Sequence, residues 1–87
     1  MPTPEIIQKV RELHAELGET RPTPLTQAEI DRMKQAVELV IREPDHLPHY
    51  KSLNDRILFA VVGFQLDHPK LFTLMTGVAA SLSNAGI

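Results

Sequence analysis

Two histidines and an aspartate lie close together in a segment that contains two prolines, and all three are residue types that bind metal ions. His46 and His49 are three residues apart, and Asp45 precedes them. Imidazole nitrogens and carboxylate oxygens are ligands that zinc accepts. A His-x-x-His pair in a loop dictates no third protein ligand, however. We therefore interpret these side chains as solvated and predict no metal site.

The other two histidines also fit structural roles better than catalytic ones. His14 lies beside Leu13 and Leu17 in an amphipathic segment, which places it at the boundary of the core. His68 follows Asp67 at the start of a predicted helix, where a histidine belongs to the cap and the turn. We predict that neither residue acts as a general base.

Carboxylates, nucleophiles and phosphate-binding loops give no stronger signal for chemistry. Glu12 and Glu16 share one helix face, but the last two predicted helices supply only Asp55 and Asp67, so the carboxylate-rich core of a di-metal bundle is missing. The chain has no cysteine, and its four scattered glycines form no phosphate-binding loop. We predict a protein that is not an enzyme and that holds no cofactor.

Length and charge exclude further classes of function. The chain has 87 residues, which fits one domain spanning 1–87, with 9 basic and 11 acidic residues and a net charge of −2. No basic run is available to neutralise phosphates, so we expect no binding to nucleic acid. The chargeless stretches 57–66 and 71–87 are shorter than the ~20 residues of a membrane-spanning helix. With no signal-peptide pattern in residues 1–5, we expect a cytoplasmic protein for which membrane attachment is disfavoured.

Proline and capping residues divide the chain into four predicted helices, at about 4–17, 27–43, 53–66 and 68–85. Thr3 and Pro4 predict the start of the first helix, and Gly18 predicts its end as a left-handed residue. Asp67 is the predicted N-cap of the fourth helix, and Gly86 is predicted to close it.

The second helix has the most detailed start signal of the four. Thr26 and Glu29 have the spacing of a capping box, in which each side chain satisfies a backbone N–H group of the other residue. Leu25 and Ile30 are placed to form a hydrophobic staple across this start. Pro44 predicts the end of this helix near residue 43.

The third segment is ambiguous between a helix and a strand. Residues 57–64 are apolar and rich in β-branched and aromatic types, which favours a buried strand on propensity alone. We predict a helix because Ser52 and Asp55 resemble a capping start and because a lone strand has no partner among helices. The preceding segment 44–51, with Pro44 and Pro48, is predicted to be a loop.

Short connections make successive helices antiparallel neighbours. The predicted fold is therefore all-α, an antiparallel four-helix bundle of up-down-up-down topology, either self-contained or completed by dimerisation. A chain this short buries only about 60% of the surface that its unfolded form exposes, and such domains often gain stability by forming oligomers.

The second half of the chain lacks the charged outer face of an ordinary surface helix. From residue 57 onward only Asp67 and Lys70 carry charge. Uncharged side chains of the third and fourth helices give a candidate contact surface between chains, consisting of Phe59, Thr73, Gly77, Ala80, Ser81 and Asn84. We expect a homodimer through this surface, and we expect Gly77→Leu to disturb association more than folding. The other interpretations are helices buried within their own bundle and attachment of this half to a membrane.

Both ends of the chain resemble a family of small, uncharacterised bacterial proteins. The similarity lies in the Leu13-His14-Ala15-Glu16-Leu17 run, in the Phe64-Gln65-Leu66-Asp67-His68-Pro69-Lys70-Leu71 run, which continues to Leu82, and in the Ala85-Gly86-Ile87 end. The resemblance implies a helical domain of unknown function and assigns no catalytic residue or ligand.

The sequence thus favours a non-enzymatic helical module that associates with itself or with another protein. The alternative is a bundle that binds a small molecule or a metal ion. Its site would be a cavity between helices near Phe59, Phe64 and Phe72, with His14 or His68 at the rim. A closed core would favour the first interpretation, and a well-lined cavity would favour the second.

Overall fold

Four α-helices account for most of the chain in the computed structural model, which describes residues 3–87. They are α1 (Pro4–Glu19), α2 (Gln27–Arg42), α3 (Leu47–Phe64) and α4 (Pro69–Asn84), and no strand occurs within the described residues. Each helix packs against the next one, and α1 also packs against α4. The predicted all-α four-helix bundle is therefore confirmed, as is the helical state of residues 57–64.

Each helix contributes an apolar stripe at spacings of three and four residues, and the four stripes form one core. The buried members are Ile6, Val10, Leu13 and Leu17 of α1, Ile30, Met33, Val37 and Val40 of α2, Tyr50, Leu53, Ile57, Ala60 and Phe64 of α3, and Leu71, Met75, Val78 and Leu82 of α4. Complete burial of a side chain of this size contributes about 1.5–3 kcal/mol. Packing of these stripes, more than helix propensity, holds the bundle together.

The start of α1 is as predicted, but its end is not. The Thr3 hydroxyl accepts the Ile6 N–H at 3.3 Å, and Pro4 occupies the first helical position. The expected left-handed stop at Gly18 is wrong, because the helix continues through Gly18 to Glu19. Thr20 satisfies the exposed end instead, since its backbone N–H and its hydroxyl both donate to the carbonyl of Glu16, at 2.9 and 2.7 Å.

α2 begins at Gln27 with Thr26 in the N-cap position, as predicted, but the predicted capping bonds are absent. The Thr26 hydroxyl makes no capping bond to the helix, and Leu25 is 91% exposed, so the expected capping box and staple are both wrong. Thr23 and Thr26 instead satisfy each other, with Thr23 N–H donating to the Thr26 hydroxyl at 2.9 Å and Thr26 N–H donating to the Thr23 hydroxyl at 3.3 Å. Thr23 and Pro24 thus repeat the Thr-Pro start of α1, because proline suits the first turn of a helix.

The start of α3 corrects the predicted loop at 44–51. The helix begins at Leu47, six residues before the predicted start, and Pro48 lies in its first turn. Proline is tolerated there because the first N–H groups of a helix have no partner within the helix. Ser52 and Asp55 are exposed positions inside the helix, so the predicted capping start at Ser52 is wrong.

The ends of α4 follow from one proline and one glycine. Pro69 is the first residue of the helix, so His68, and not the predicted Asp67, occupies the cap position. At the other end Gly86 has φ +77°, and its N–H donates to the carbonyl of Ser83 at 3.1 Å. The N–H of Ile87 donates to the carbonyl of Leu82 at 3.0 Å, which completes a Schellman motif and confirms Gly86 as the residue that closes the helix.

We expect Gly86→Ala to lower the free energy of unfolding by about 1 kcal/mol, because an L side chain is strained at positive φ. No atom lies within 4 Å of a Cβ added there, so the cost arises from the backbone alone. Gly77→Ala is the matched control, since Gly77 is helical and a Cβ added there also meets no atom within 4 Å, so alanine should stabilise by about 1 kcal/mol. Urea unfolding measures both changes, and shifts of the same sign would contradict the prediction.

Candidate functional site

Large apolar side chains project from α3 on the side that faces away from the core. Leu58 is 61% exposed, Phe59 and Val62 are each 77% exposed, and Leu66, in the turn after the helix, is 92% exposed. We call these four residues the α3 outer face. The opposite side of the helix buries Ile57, Ala60, Phe64 and further residues in the core. The helix is therefore apolar on two sides, and only one side is satisfied within the bundle.

Charge is distributed unequally around the bundle. The sequence has no charged residue from 57 to 66, and the nearest ones are Asp55 and Arg56 before the α3 outer face and Asp67 after it. The exposed positions of α1 and α2, in contrast, carry many charged side chains, among them Arg11, Glu12, Asp31, Arg32 and Glu38. Exposed apolar area without interspersed charge is typical of a contact surface.

Five of the six residues of the sequence-predicted contact surface lie on α4. Thr73, Ala80 and Asn84 are exposed, and Gly77 and Ser81 are half-buried. Ser81 and Asn84 line a shallow depression together with residues of the first turn of α1, namely Thr3, Glu5 and Ile6. This part of α4 is thus turned toward α1.

Phe59, the sixth residue, lies on another part of the molecule. It lines a depression with Ser52, Asp55 and Arg56, all on α3. The Arg56 guanidinium reaches toward α2, with its Nη1 3.9 Å from Oε2 of Glu29. Phe59 is therefore turned toward α2 and away from Ser81 and Asn84, so the structure does not bring the six residues into one continuous surface.

Sequence reasoning missed Leu58, Val62 and Leu66 as surface residues. The buried residues of α3 follow one another at spacings of three and four, at positions 50, 53, 57, 60 and 64. Leu58, Val62 and Leu66 do not fit this spacing, which places them on another side of the helix. Extending the buried stripe from the start of α3 therefore separates the core residues from the α3 outer face.

The His46 and His49 rings lie side by side at the start of α3, with centroids 4.3 Å apart. His49 donates from Nε2 to Oε1 of Glu43 at 3.0 Å, and this hydrogen bond lowers the pKa of the Glu43 carboxyl. Glu43 and His46 have the Glu-x-x-His spacing of di-metal bundles, but they lie at the α2–α3 connection and not in the core. Across residues 3–87, no group of three or more histidine and carboxylate side chains is placed to hold a metal ion.

The remaining histidines link helices at opposite ends of α2. His14 is exposed, and its Nε2 lies 3.9 Å from Oε2 of Glu38. The predicted position of His14 at the boundary of the core is therefore wrong. His68 is half-buried; its Nε2 shares a hydrogen bond of 3.2 Å with the hydroxyl of Thr26, and its ring meets Phe64 edge-on at 5.6 Å. Residues 26 and 38 are roughly 18 Å apart along a helix. The two histidines therefore cannot border one small cavity.

The phenylalanines of the alternative, ligand-binding interpretation are likewise dispersed. Phe64 is 2% exposed within the core, Phe72 is half-buried, and Phe59 points outward. The depression that Phe59 lines includes neither Phe64 nor Phe72. This arrangement gives the small-molecule interpretation no site of the predicted composition.

The carboxylates on α1 have partners on the surface. Glu16 forms an ion pair with Lys70 of α4, with 3.2 Å between Oε1 and Nζ. Glu12 accepts a hydrogen bond from the side chain of Gln8 at 3.4 Å. An ion pair at the surface contributes at most about 1 kcal/mol. Glu16 and Lys70 therefore tie α1 to α4 and need no metal ion to explain them.

Comparison with known proteins places the chain in a family but gives no activity. No helix among residues 3–87 has both the length and the apolar character needed to cross a membrane. No curated protein and no solved structure matches the chain. One family model matches residues 6–87, nearly the whole chain, and on that match the protein belongs to the family described as domain of unknown function DUF4404.

Proposed function

We propose that this chain is a non-enzymatic module that functions by protein–protein contact, forming a homodimer through the α3 outer face. The observation that carries the proposal is the exposure of Leu58, Phe59, Val62 and Leu66, which ranges from 61% to 92%. A cytoplasmic setting is part of the same proposal.

The energetics favour Phe59 as the anchor of the contact. Burial of a side chain of this class contributes about 1.5–3 kcal/mol, so four of them supply an amount comparable to the estimated 4–15 kcal/mol that association costs. Aromatic residues near the centre of an interface usually carry the largest share of the binding energy. Phe59 is the aromatic member of the α3 outer face.

The arrangement of the polar side chains supports a role without catalysis. His14 pairs with Glu38, His49 with Glu43, and Lys70 with Glu16, and each pair joins helices or helix ends at a different place on the surface. A catalytic site requires such groups to converge on one position next to a substrate. Here they act as separate links between elements.

Sedimentation equilibrium from about 1 to about 200 µM tests the proposal, a range that detects dissociation constants typical of weak dimers. We expect wild-type chain to reach the mass of two chains and Phe59→Glu to remain a single chain. The variant should keep its helical circular dichroism, because Phe59 is 77% exposed and outside the core. A wild-type protein that stays monomeric over the whole range would contradict self-association.

Two further variants locate the contact. Leu47→Glu introduces the same charge at a 44% exposed leucine that lies twelve residues before Phe59 on α3, and we expect it to leave the dimer intact. Gly77→Leu tests the small-residue face of α4. If Gly77→Leu dissociates the dimer and Phe59→Glu does not, the contact lies on α4 and not on α3.

A further inference from the structure

We draw no further inference here: the strongest candidate, the groove between α1 and α4 bordered by Glu12, Glu16 and Glu19, is a cluster of acidic side chains, and nothing among residues 3–87 shows what would bind to it.

Discussion

Replacing Phe64 by alanine is expected to lower the free energy of unfolding by about 4 kcal/mol, as measured by urea denaturation. Phe64 is 2% exposed, belongs to the core cluster and meets the ring of His68 edge-on. Alanine would remove the phenyl ring and leave a cavity that neighbouring side chains fill only in part. Because domains of this size have total stabilities of about 5–10 kcal/mol, the variant should lie close to unfolding at room temperature.

Phe59→Ala is the matched control, since it removes the same ring five residues earlier on the same helix. Phe59 is 77% exposed, so its replacement should change the free energy of unfolding by less than about 0.5 kcal/mol when the chain is monomeric. Comparable losses from the two substitutions would mean that Phe59 is buried in the folded chain, contrary to the structure.

The second large effect is expected at Tyr50, which packs in the core and anchors the connection before α3. The side chain is 0% exposed, and its hydroxyl donates to the carbonyl of Pro44 at 2.6 Å. Tyr50→Ala should lower the free energy of unfolding by about 4 kcal/mol, through lost packing. Tyr50→Phe keeps the ring and should cost about 1 kcal/mol, through the lost hydrogen bond. Equal costs for the two variants would contradict this division.

The same residue predicts an alkaline dependence of stability. Burial raises the pKa of the Tyr50 phenol above its ordinary value of 10.0, with a further contribution from the negative charge of Asp45. The folded chain therefore holds this proton more tightly than the unfolded chain, so the stabilisation is complete below pH 10 and is lost as the pH rises through the raised pKa. The stability difference between wild type and Tyr50→Phe should accordingly shrink from about pH 8 to about pH 11. A difference that stays constant would contradict the prediction.

The number of helices and the core positions of α1, α2 and α4 were predictable because both depend on local spacing. Residues at intervals of three and four, such as Ile6, Val10, Leu13 and Leu17, must lie on one side of a helix, and they are buried. Thr3 and Gly86 were equally readable, since each acts through hydrogen bonds within its own turn. These features require no knowledge of what the helix packs against.

The start of α3 and the side-chain bonds at the start of α2 were not predictable from such local rules. α3 begins before Ser52, with Pro48 in its first turn. Burial of Tyr50 and its hydrogen bond to the carbonyl of Pro44 stabilise this earlier start. Thr26 is the N-cap residue of α2, but its hydroxyl bonds to Thr23 and to His68, which lies 42 residues later in the sequence, and not to the helix. The competing partners in both cases are created by the fold.

The candidate site was only partly predictable for a related reason. Phe59 could be selected from the sequence as an apolar residue in a chargeless segment. Leu58, Val62 and Leu66 were missed because the buried stripe that separates them from the core begins at Tyr50, which was predicted to lie in a loop. Which side of α3 is covered depends on the positions of α2 and α4. The rotation of each helix also separates Phe59 from Ser81 and Asn84, which no spacing within one helix predicts.

Packing of α1 against α4 means that the helices form a closed ring, in which each helix contacts two neighbours. The first turn of α1 and the last turn of α4 border one depression, which Thr3 and Ala85 both line. A short bridge between these neighbouring ends, with a new opening in the connection between α1 and α2, would preserve every contact between helices while changing their order along the chain. The four helices thus form a cycle of contacts, and the same packing is compatible with more than one order of the helices along the chain.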